Sequence, residues 1–226
     1  MMAGMGEGLR ERKKRETRLR ISDTATGLFL ARGFDNVTVA EVARAADVSV
    51  NTVFNYFPTK EDLLLDRQDE LVGLLGEVVR RRGPGEGAVD AVRRDFLEAL
   101  DTRSWRYGLH EGGDAFVRLV DSSPSLVARV REMNELRREA LTRTLAEESG
   151  AGPGDLTPAL VAAQIHATLT TLTAYATRRM LAGESVSAVE PDLRERAEHA
   201  FALLKSGIGG YCVRREDAPP APSPAT

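Results

Sequence analysis

Side chains that can read DNA bases follow one another at Ser49-Val50-Asn51-Thr52. An asparagine amide can form two hydrogen bonds with the edge of an adenine, and serine and threonine hydroxyls can bond to bases or to phosphates. The side chain of Val50 can contact the methyl group of a thymine. If this segment opens a helix that lies in the major groove of DNA, these side chains can meet base edges.

Residues that can hold DNA phosphates lie on both sides of this segment. Thr38, Tyr56 and Lys60 can make such contacts, and the basic residues between Arg12 and Arg20 add an attraction that ignores sequence and weakens with salt. The alternatives are structural: Thr38 and Ser49 are helix caps only, Tyr56 is a packed aromatic residue, and Lys60 is a solvated charge.

The remaining chemistry-bearing residues give no enzyme pattern. The three histidines, His110, His166 and His199, and the single cysteine, Cys212, lie far apart in the sequence and outside the spacing of metal sites or nucleophile motifs. The glycine cluster at residues 83–87 lacks the lysine and hydroxyl residue of a phosphate loop and is interpreted as a hinge. We expect no enzymatic activity, no metal and no cofactor.

Composition and charge indicate a folded chain with a basic head. The 226 residues are 42% hydrophobic and 29% charged, which is ordinary for a globular protein. Residues 1–60 carry a net charge of +3 and residues 61–226 a net charge of −6, which suggests a polyanion partner for the first part. The single cysteine and the lack of a signal-like or membrane-spanning run predict a cytoplasmic protein without disulfides.

Helical spacing of apolar residues predicts an all-α protein. A first helix is expected from Arg10 to Arg32, with Gly33 as its left-handed cap, and a fourth from Thr59 to about Arg82. Further helices are predicted at residues 88–102, 104–120 with an interruption at Gly112-Gly113, 124–149, 158–182 and 191–209. The starts of the last three are placed by a proline at the first helical position.

Two short helices between these positions form a helix-turn-helix pattern. Thr38 and Glu41 have the spacing of a capping box, which starts one helix, and Ser49 is a plausible N-cap for the next, from Val50 to Tyr56. Asp47 lies in the tight turn between them and tolerates a left-handed conformation. In such a motif the second helix can lie in the major groove.

The stretch from Thr38 to Leu63, which contains Tyr56-Phe57-Pro58-Thr59-Lys60-Glu61, resembles the DNA-binding domain of the TetR family of bacterial transcriptional regulators. The resemblance covers roughly residues 12–66 and includes the upstream Gly33-Phe34. It implies a three-helix DNA-binding domain at residues 1–60, a helical effector-binding and dimerisation domain at 61–212, and a tail at 213–226 that the proline content predicts to be disordered. The DNA-binding residues it implies are Thr38, Ser49, Val50, Asn51, Thr52, Asn55, Tyr56 and Lys60.

Three residues depart from the common pattern of that family. Asp47 stands where many members have glycine, and Asn51 replaces another common glycine, which adds a base-reading side chain. Phe54 replaces a common tyrosine, so that a possible phosphate contact is lost, and we expect Phe54 in the core.

The resemblance also implies a small-molecule effector and a homodimer formed by the last two long helices. Candidate effector contacts among the middle helices are Trp105, His110, Phe116, Met133, His166, Thr170 and Tyr175. The apolar stripes of the last two helices, which include Val161, Ile165, Phe201 and Leu204, are expected to pack against a partner, the alternative being that they line the core of one chain.

The function implied is a repressor that a small-molecule effector releases from a palindromic operator. Activation of transcription, or repression without a ligand, is also compatible with the sequence. The alternatives from other classes are a helical protein that binds or sequesters a small molecule and carries a vestigial DNA-binding head, and a structural protein that coats DNA without sequence preference.

Overall fold

Helices account for nearly all the regular structure of the chain. The computed structural model describes residues 8–214, and within that range it contains ten α-helices, one short 3-10 helix and no β-strand. The predicted all-α class is therefore confirmed. In chain order the helices are α1 (Leu9–Arg32), α2 (Val39–Ala45), α3 (Val50–Tyr56), α4 (Lys60–Asp69), α5 (Leu74–Arg80), α6 (Ala88–Asp101), the 3-10 helix (Trp105–Tyr107), α7 (Gly113–Asp121), α8 (Pro124–Ser149), α9 (Thr157–Leu181) and α10 (Val186–Ile208).

The chain divides into two compact units. The first comprises Met1–Asp69 with Arg118–Arg129, and the second comprises Glu70–Val117 with Val130–Thr226. Within the described residues, no helix is both long enough and apolar enough to cross a membrane.

Aromatic residues form the core of the first unit. Phe29 of α1 packs against Phe34 with 4.8 Å between ring centroids, and Phe57 is fully buried beneath α3. Gly33 between α1 and this core has φ 84° and ψ 146°, so its positive φ is as predicted, but its ψ is extended rather than left-handed helical. Glycine adopts this conformation without the steric penalty of a Cβ atom.

The core of the second unit is built largely from the apolar stripes of its last two helices. The α9 residues Val161, Ile165, Leu169, Leu172, Ala176 and Met180 are all buried, as are Leu193, Ala197, Phe201 and Leu204 of α10. They pack on one another and on α6 within a single chain. The expectation that these stripes face a partner is therefore wrong, and the intrachain alternative holds for them.

The prediction of a single helix from Thr59 to about Arg82 is wrong, because a turn at residues 70–73 separates α4 from α5. Gly73, which precedes the first residue of α5, has the low helix propensity of glycine and lacks a side chain that could cap the helix. Leucines on both sides of the turn, Leu65 and Leu75, are buried. Their continuous helical spacing concealed the break.

The predicted start of the last helix at Pro191 is also wrong. The helix begins at Val186, where the Ser185 hydroxyl accepts a hydrogen bond from the backbone N–H of Ala188, and Pro191 lies inside it. A proline in the first turn of a helix costs little stability, because the backbone N–H groups there have no helical partner. Pro191 lies beyond the first turn of α10. The serine cap, not the proline, sets the boundary.

The glycine cluster at residues 83–87 is fastened within the second unit. The carboxylate of Glu86 accepts a 2.7 Å hydrogen bond from the N–H of Gly83, and Arg94 pairs with the same carboxylate at 2.9 Å. Backbone bonds join Gly85 and Glu86 to Arg214 at 2.9 and 3.1 Å. These are contacts of a fixed loop rather than of a hinge. Most of the predicted disordered tail, residues 215–226, lies outside the described residues.

Candidate nucleic-acid interface

A reciprocal cap fixes the start of α2. The Thr38 hydroxyl accepts from the backbone N–H of Glu41 at 3.2 Å, and the Glu41 carboxylate accepts from the backbone N–H of Thr38 at 2.8 Å. Arg32 of α1 pairs with the same carboxylate at 2.8 Å. The backbone bond from Thr38 and the guanidinium of Arg32 together lower the pKa of Glu41 to about 2. The predicted capping box is confirmed.

The turn between α2 and α3 uses the conformation expected of Asp47. This residue has φ 53°, in the left-handed region, and its N–H donates to the carbonyl of Arg44 at 3.2 Å. The next N–H, of Val48, reaches back to the carbonyl of Ala43 at 2.9 Å. Aspartate is among the few residues other than glycine that enter this region readily, which explains why the turn forms without glycine.

The hydroxyl of Ser49 caps α3. It accepts from the backbone N–H of Thr52 at 3.0 Å and lies 2.8 Å from the Thr52 hydroxyl. Val53 and Phe57 then anchor one side of the helix in the core, with 1% and 0% of their surfaces exposed. The opposite side of α3 is consequently turned to solvent.

Four neighbouring side chains form this exposed side: Val50, Asn51, Phe54 and Asn55. We call them the readout face. The expectation that Phe54 belongs to the core is wrong, because 48% of its surface is exposed. The core contacts Val53 of α3 and Phe57 at the end of this helix, and Phe54, about 100° further round the helix than Val53, points to solvent.

The predicted phosphate contacts differ in how freely they can reach DNA. Tyr56 is half-buried, and its carbonyl accepts a 3.1 Å hydrogen bond from Arg18. The Lys60 ammonium donates to the carbonyl of Phe34 at 2.7 Å and lies 4.2 Å from the centre of the Phe34 ring. Lys60 is thus engaged by its own domain rather than simply solvated. Its contact with DNA stays a prediction.

The basic run on α1 divides into a packed part and an exposed part. Arg18 pairs with the buried carboxylate of Asp66 at 2.6 Å and lies 4.9 Å from the centre of the Phe57 ring, so it holds the domain together. The side chains from Arg10 to Arg15 are exposed, and at α1 the buried positions begin at Ile21. The exposed run therefore provides a positive surface in the same unit as the readout face.

Comparison with known proteins agrees with this geometry. A family model described as bacterial regulatory proteins, tetR family, matches residues 21–66. The HTH-type transcriptional regulator TcmR of Streptomyces glaucescens is 32% identical over 155 residues, covering 66% of this chain and 68% of TcmR. This chain belongs to the TetR family.

Other TetR-family proteins are similar over different shares of the chain. The HTH-type transcriptional repressor KstR of Mycolicibacterium smegmatis is 31% identical over 144 residues, covering 63% of this chain and 57% of KstR. A crystal structure of a TetR-family regulator from Streptomyces coelicolor covers 90% of this chain and 99% of its own, with a TM-score of 0.54 and 22% identity. The latter supports the fold.

The candidate effector residues of this TetR-family chain are spread over the second unit. Trp105, His110 and Phe116 are half-buried in or near the 3-10 helix and α7, and Met133 of α8 is fully buried. His166 and Thr170 lie one turn apart on α9, with 3.4 Å between ring nitrogen and hydroxyl. The structure brings these two together.

Tyr175 has a different environment from the other candidates. Its hydroxyl donates to Asp192 of α10, and the Arg196 guanidinium lies 4.5 Å from the centre of its ring. Arg179 pairs with the same aspartate at 2.9 Å. These contacts join α9 to α10. They give Tyr175 a structural role whether or not it also contacts an effector.

A buried polar cluster in the second unit escaped the sequence analysis. Asp95 of α6, 6% exposed, accepts a 2.7 Å hydrogen bond from the hydroxyl of Tyr107 and pairs with Arg106 at 3.2 Å. Burial and the neighbouring carboxylate raise the pKa of Tyr107. The available signal was an aspartate on the apolar side of α6, between Val92 and Phe96.

His110 is a second unusual polar group. Its Nδ1 atom is buried and has no hydrogen-bond partner, and burial lowers the pKa of the ring. Within the described residues, no group of three or more histidine, cysteine, aspartate or glutamate side chains could hold a metal ion.

Proposed function

We propose that this protein is a transcriptional repressor that binds a palindromic operator as a homodimer and is released from it by a small-molecule effector. The observation that carries the proposal is the readout face, which presents Asn51 and Asn55 to solvent while Val53 and Phe57 anchor the same helix. In a helix-turn-helix this side of the second helix meets base edges. The similarity to KstR, a named repressor, supports repression over activation.

Fluorescence anisotropy on duplexes that tile the promoter beside the gene, at two salt concentrations, tests DNA recognition. We expect binding to one tile with two-fold symmetry. Asn51→Ala should weaken it by about 5- to 150-fold, since one bidentate amide–adenine pair contributes about 1–3 kcal/mol. Asn36→Ala is the control: its exposed amide lies in the same unit outside α3 and bonds to the Arg32 carbonyl at 2.9 Å, so thermal unfolding of this variant must first show that the unit stays folded.

Equal binding of wild-type protein to every tile, with a steep salt dependence, would instead indicate a protein that coats DNA. If Asn51→Ala and Asn36→Ala bind the operator as tightly as the wild type, then α3 does not read bases through Asn51.

The proposed homodimer uses the sides of α9 and α10 that the intrachain core leaves uncovered. On α9 these residues include Leu160, Ala163, Ala167, Thr171 and Ala174, and on α10 they include His199, Ala202 and Leu203. Leu160 and Leu203 are 61% and 62% exposed, so both sides carry apolar surface that a partner can cover. Small residues between them allow two helices to approach closely.

Light scattering after gel filtration tests this arrangement. Ala167→Arg should give a monomer with weakened operator binding, because a palindrome needs two recognition helices. Ala115→Arg places the same charge on an exposed position of α7 and should leave a dimer. A dimer that survives Ala167→Arg would place the interface elsewhere.

Polar groups enclosed in the second unit support an effector site there. Asp95 is buried and held by the partly buried Tyr107 and Arg106, and the buried Nδ1 of His110 lacks a partner that a polar ligand can supply. An effector lowers operator affinity only by the difference in its affinity for the two conformations of the dimer. The proposal therefore requires the recognition helices to move.

The distance between two labels, one on each chain of the dimer, reports the motion of the DNA-binding units. Gly27 of α1 is exposed and has open space around it, so Gly27→Cys in a Cys212→Ser background gives one label per chain. The distance between labels across the dimer should differ between operator-bound and effector-bound protein. The effector is taken from a compound screen for loss of operator anisotropy. An unchanged distance in the free, DNA-bound and effector-bound forms would refute the mechanism, and a ligand that binds without affecting DNA affinity would favour sequestration.

A further inference from the structure

The readout face consists of two parallel rows. Val50 and Phe54 are four residues apart and form an apolar row, and Asn51 and Asn55 form an amide row beside it. Residues with this spacing are neighbours on a helix surface. Val50 is 38% exposed and Phe54 48%, so the apolar row is open to a partner along its length.

The positive charge of the unit that carries this face favours DNA as its partner. The exposed basic residues at Arg10–Arg15 belong to the same unit. The seven residues of α3 itself include neither lysine nor arginine. The nearest downstream cation, Lys60, donates its hydrogen bond to the carbonyl of Phe34. The positive charge of the domain thus lies outside the face that would meet the bases.

Base edges in the major groove differ in the partners they accept. Guanine is read mainly by arginine or lysine at O6 and N7, whereas adenine N6 and N7 suit an asparagine amide. Thymine carries a methyl group, which apolar side chains contact. An A·T pair therefore presents an amide-binding edge next to a methyl group, as the readout face presents an amide row next to an apolar row. The hydroxyls of Ser49 and Thr52 lie 2.8 Å apart and bond to each other.

We infer that the base pairs facing α3 in each operator half-site are A·T pairs, with thymine methyl groups against Val50 and Phe54 and adenine edges against Asn51 and Asn55. This inference rests on the proposed DNA-binding function and assigns a direct DNA contact to Phe54. It also explains the phenyl ring at an exposed position: contact with a thymine methyl removes apolar surface from water on both partners.

Selection of duplexes from a random library by the full-length protein tests the base preference. We expect enriched half-sites to have A·T pairs at the central positions of each half. Enriched half-sites with conserved G·C pairs there would overturn the inference and leave the proposed function intact. No enriched sequence at all would overturn both.

Replacement of single thymines by uracil in the selected duplex then tests the methyl contacts, because uracil lacks only the methyl group. At the pair facing Phe54 this replacement should weaken wild-type binding about fourfold, as expected for one buried methyl-sized group. Phe54→Ala should bind more weakly and respond equally to thymine and uracil at that pair, while Phe54→Leu should keep the thymine preference.

Leu30→Ala is the matched control, since Leu30 is an exposed apolar residue of α1 with 50% of its surface accessible. It should keep both the affinity and the thymine preference of the wild type. Uracil tolerated at every half-site position by the wild-type protein would overturn the role of Phe54 and Val50. If Phe54→Ala keeps the thymine preference of the wild type, Phe54 does not contact the thymine methyl group.

Discussion

Replacement of Arg82 by methionine should destabilise the second unit strongly. Arg82 is a charged residue with only 4% of its surface exposed. Its guanidinium donates to the carbonyls of Val79 and Cys212 at 2.7 and 2.8 Å and pairs with Glu148 at 2.6 Å. One side chain thereby joins the end of α5, the end of α8 and the segment after α10.

The size of the effect follows from these contacts. Removal of one partner of a buried ion pair costs about 3–5 kcal/mol, since the remaining polar groups lose their partner without regaining water. The side chain of Glu148 is 31% exposed and can be rehydrated, so we expect the lower end, about 3 kcal/mol. For a domain of this size that corresponds to a fall in Tm of about 6–12 °C.

Thermal unfolding followed by circular dichroism at fixed protein concentration measures this shift. Arg81→Met is the matched control, because the neighbouring arginine is 54% exposed and lies 3.9 Å from Glu77. Such a surface pair contributes little, and the control should change stability by less than about 0.5 kcal/mol. Equal Tm values for the two variants would refute the view that Arg82 fastens the C-terminal segment.

Two further predictions concern a close helix contact and a titrating cap. A Cβ atom at Gly76 would lie 2.6 Å from the Thr144 hydroxyl. In chemical denaturation, Gly76→Ala should therefore lower the free energy of unfolding by about 1–3 kcal/mol. In a Thr144→Ala background the clash is gone, and the same change should raise it by up to about 1 kcal/mol because alanine has the higher helix propensity. A change in unfolding free energy of the same sign in both backgrounds would exclude the clash. Glu41, whose pKa is lowered from 4.5 to about 2, stabilises the fold above pH 4.5 and loses that contribution as the pH falls toward 2. Urea denaturation between pH 6 and pH 3 should therefore show a weaker pH dependence for Glu41→Gln than for the wild type, and parallel curves would contradict this.

Local sequence signals predicted most of the DNA-binding unit. The capping pair Thr38 and Glu41 and the cap Ser49 set the starts of α2 and α3 through hydrogen bonds within three residues, so no distant contact is needed to recognise them. The conformation of Asp47 was predictable for the same reason. The residues of the readout face followed from these boundaries, with the exception of Phe54.

Signals that depend on packing were less informative. Val50, Val53, Phe54 and Phe57 have the spacing of one apolar helix side, but only Val53 and Phe57 are buried. Spacing alone cannot say where a short helix stops contacting the core. Likewise, the apolar stripes of α9 and α10 could serve a partner or their own chain, and only the tertiary structure distinguishes the two. The polar cluster around Asp95 depends on Tyr107, twelve residues away, across the end of α6.

The position of Lys60 has a consequence for chemical modification. The chain contains four lysines, Lys13, Lys14, Lys60 and Lys205. Lys13 and Lys14 are exposed and Lys205 is 61% exposed, whereas the partly buried Lys60 amine donates to the Phe34 carbonyl and lies 4.2 Å from the centre of the Phe34 ring. An acylating reagent should therefore modify the three exposed lysines faster than Lys60, whose partly buried amine must first leave the Phe34 carbonyl. The rate of acylation at Lys60, read by mass spectrometry against the three fast sites as an internal standard, then reports how often this contact breaks.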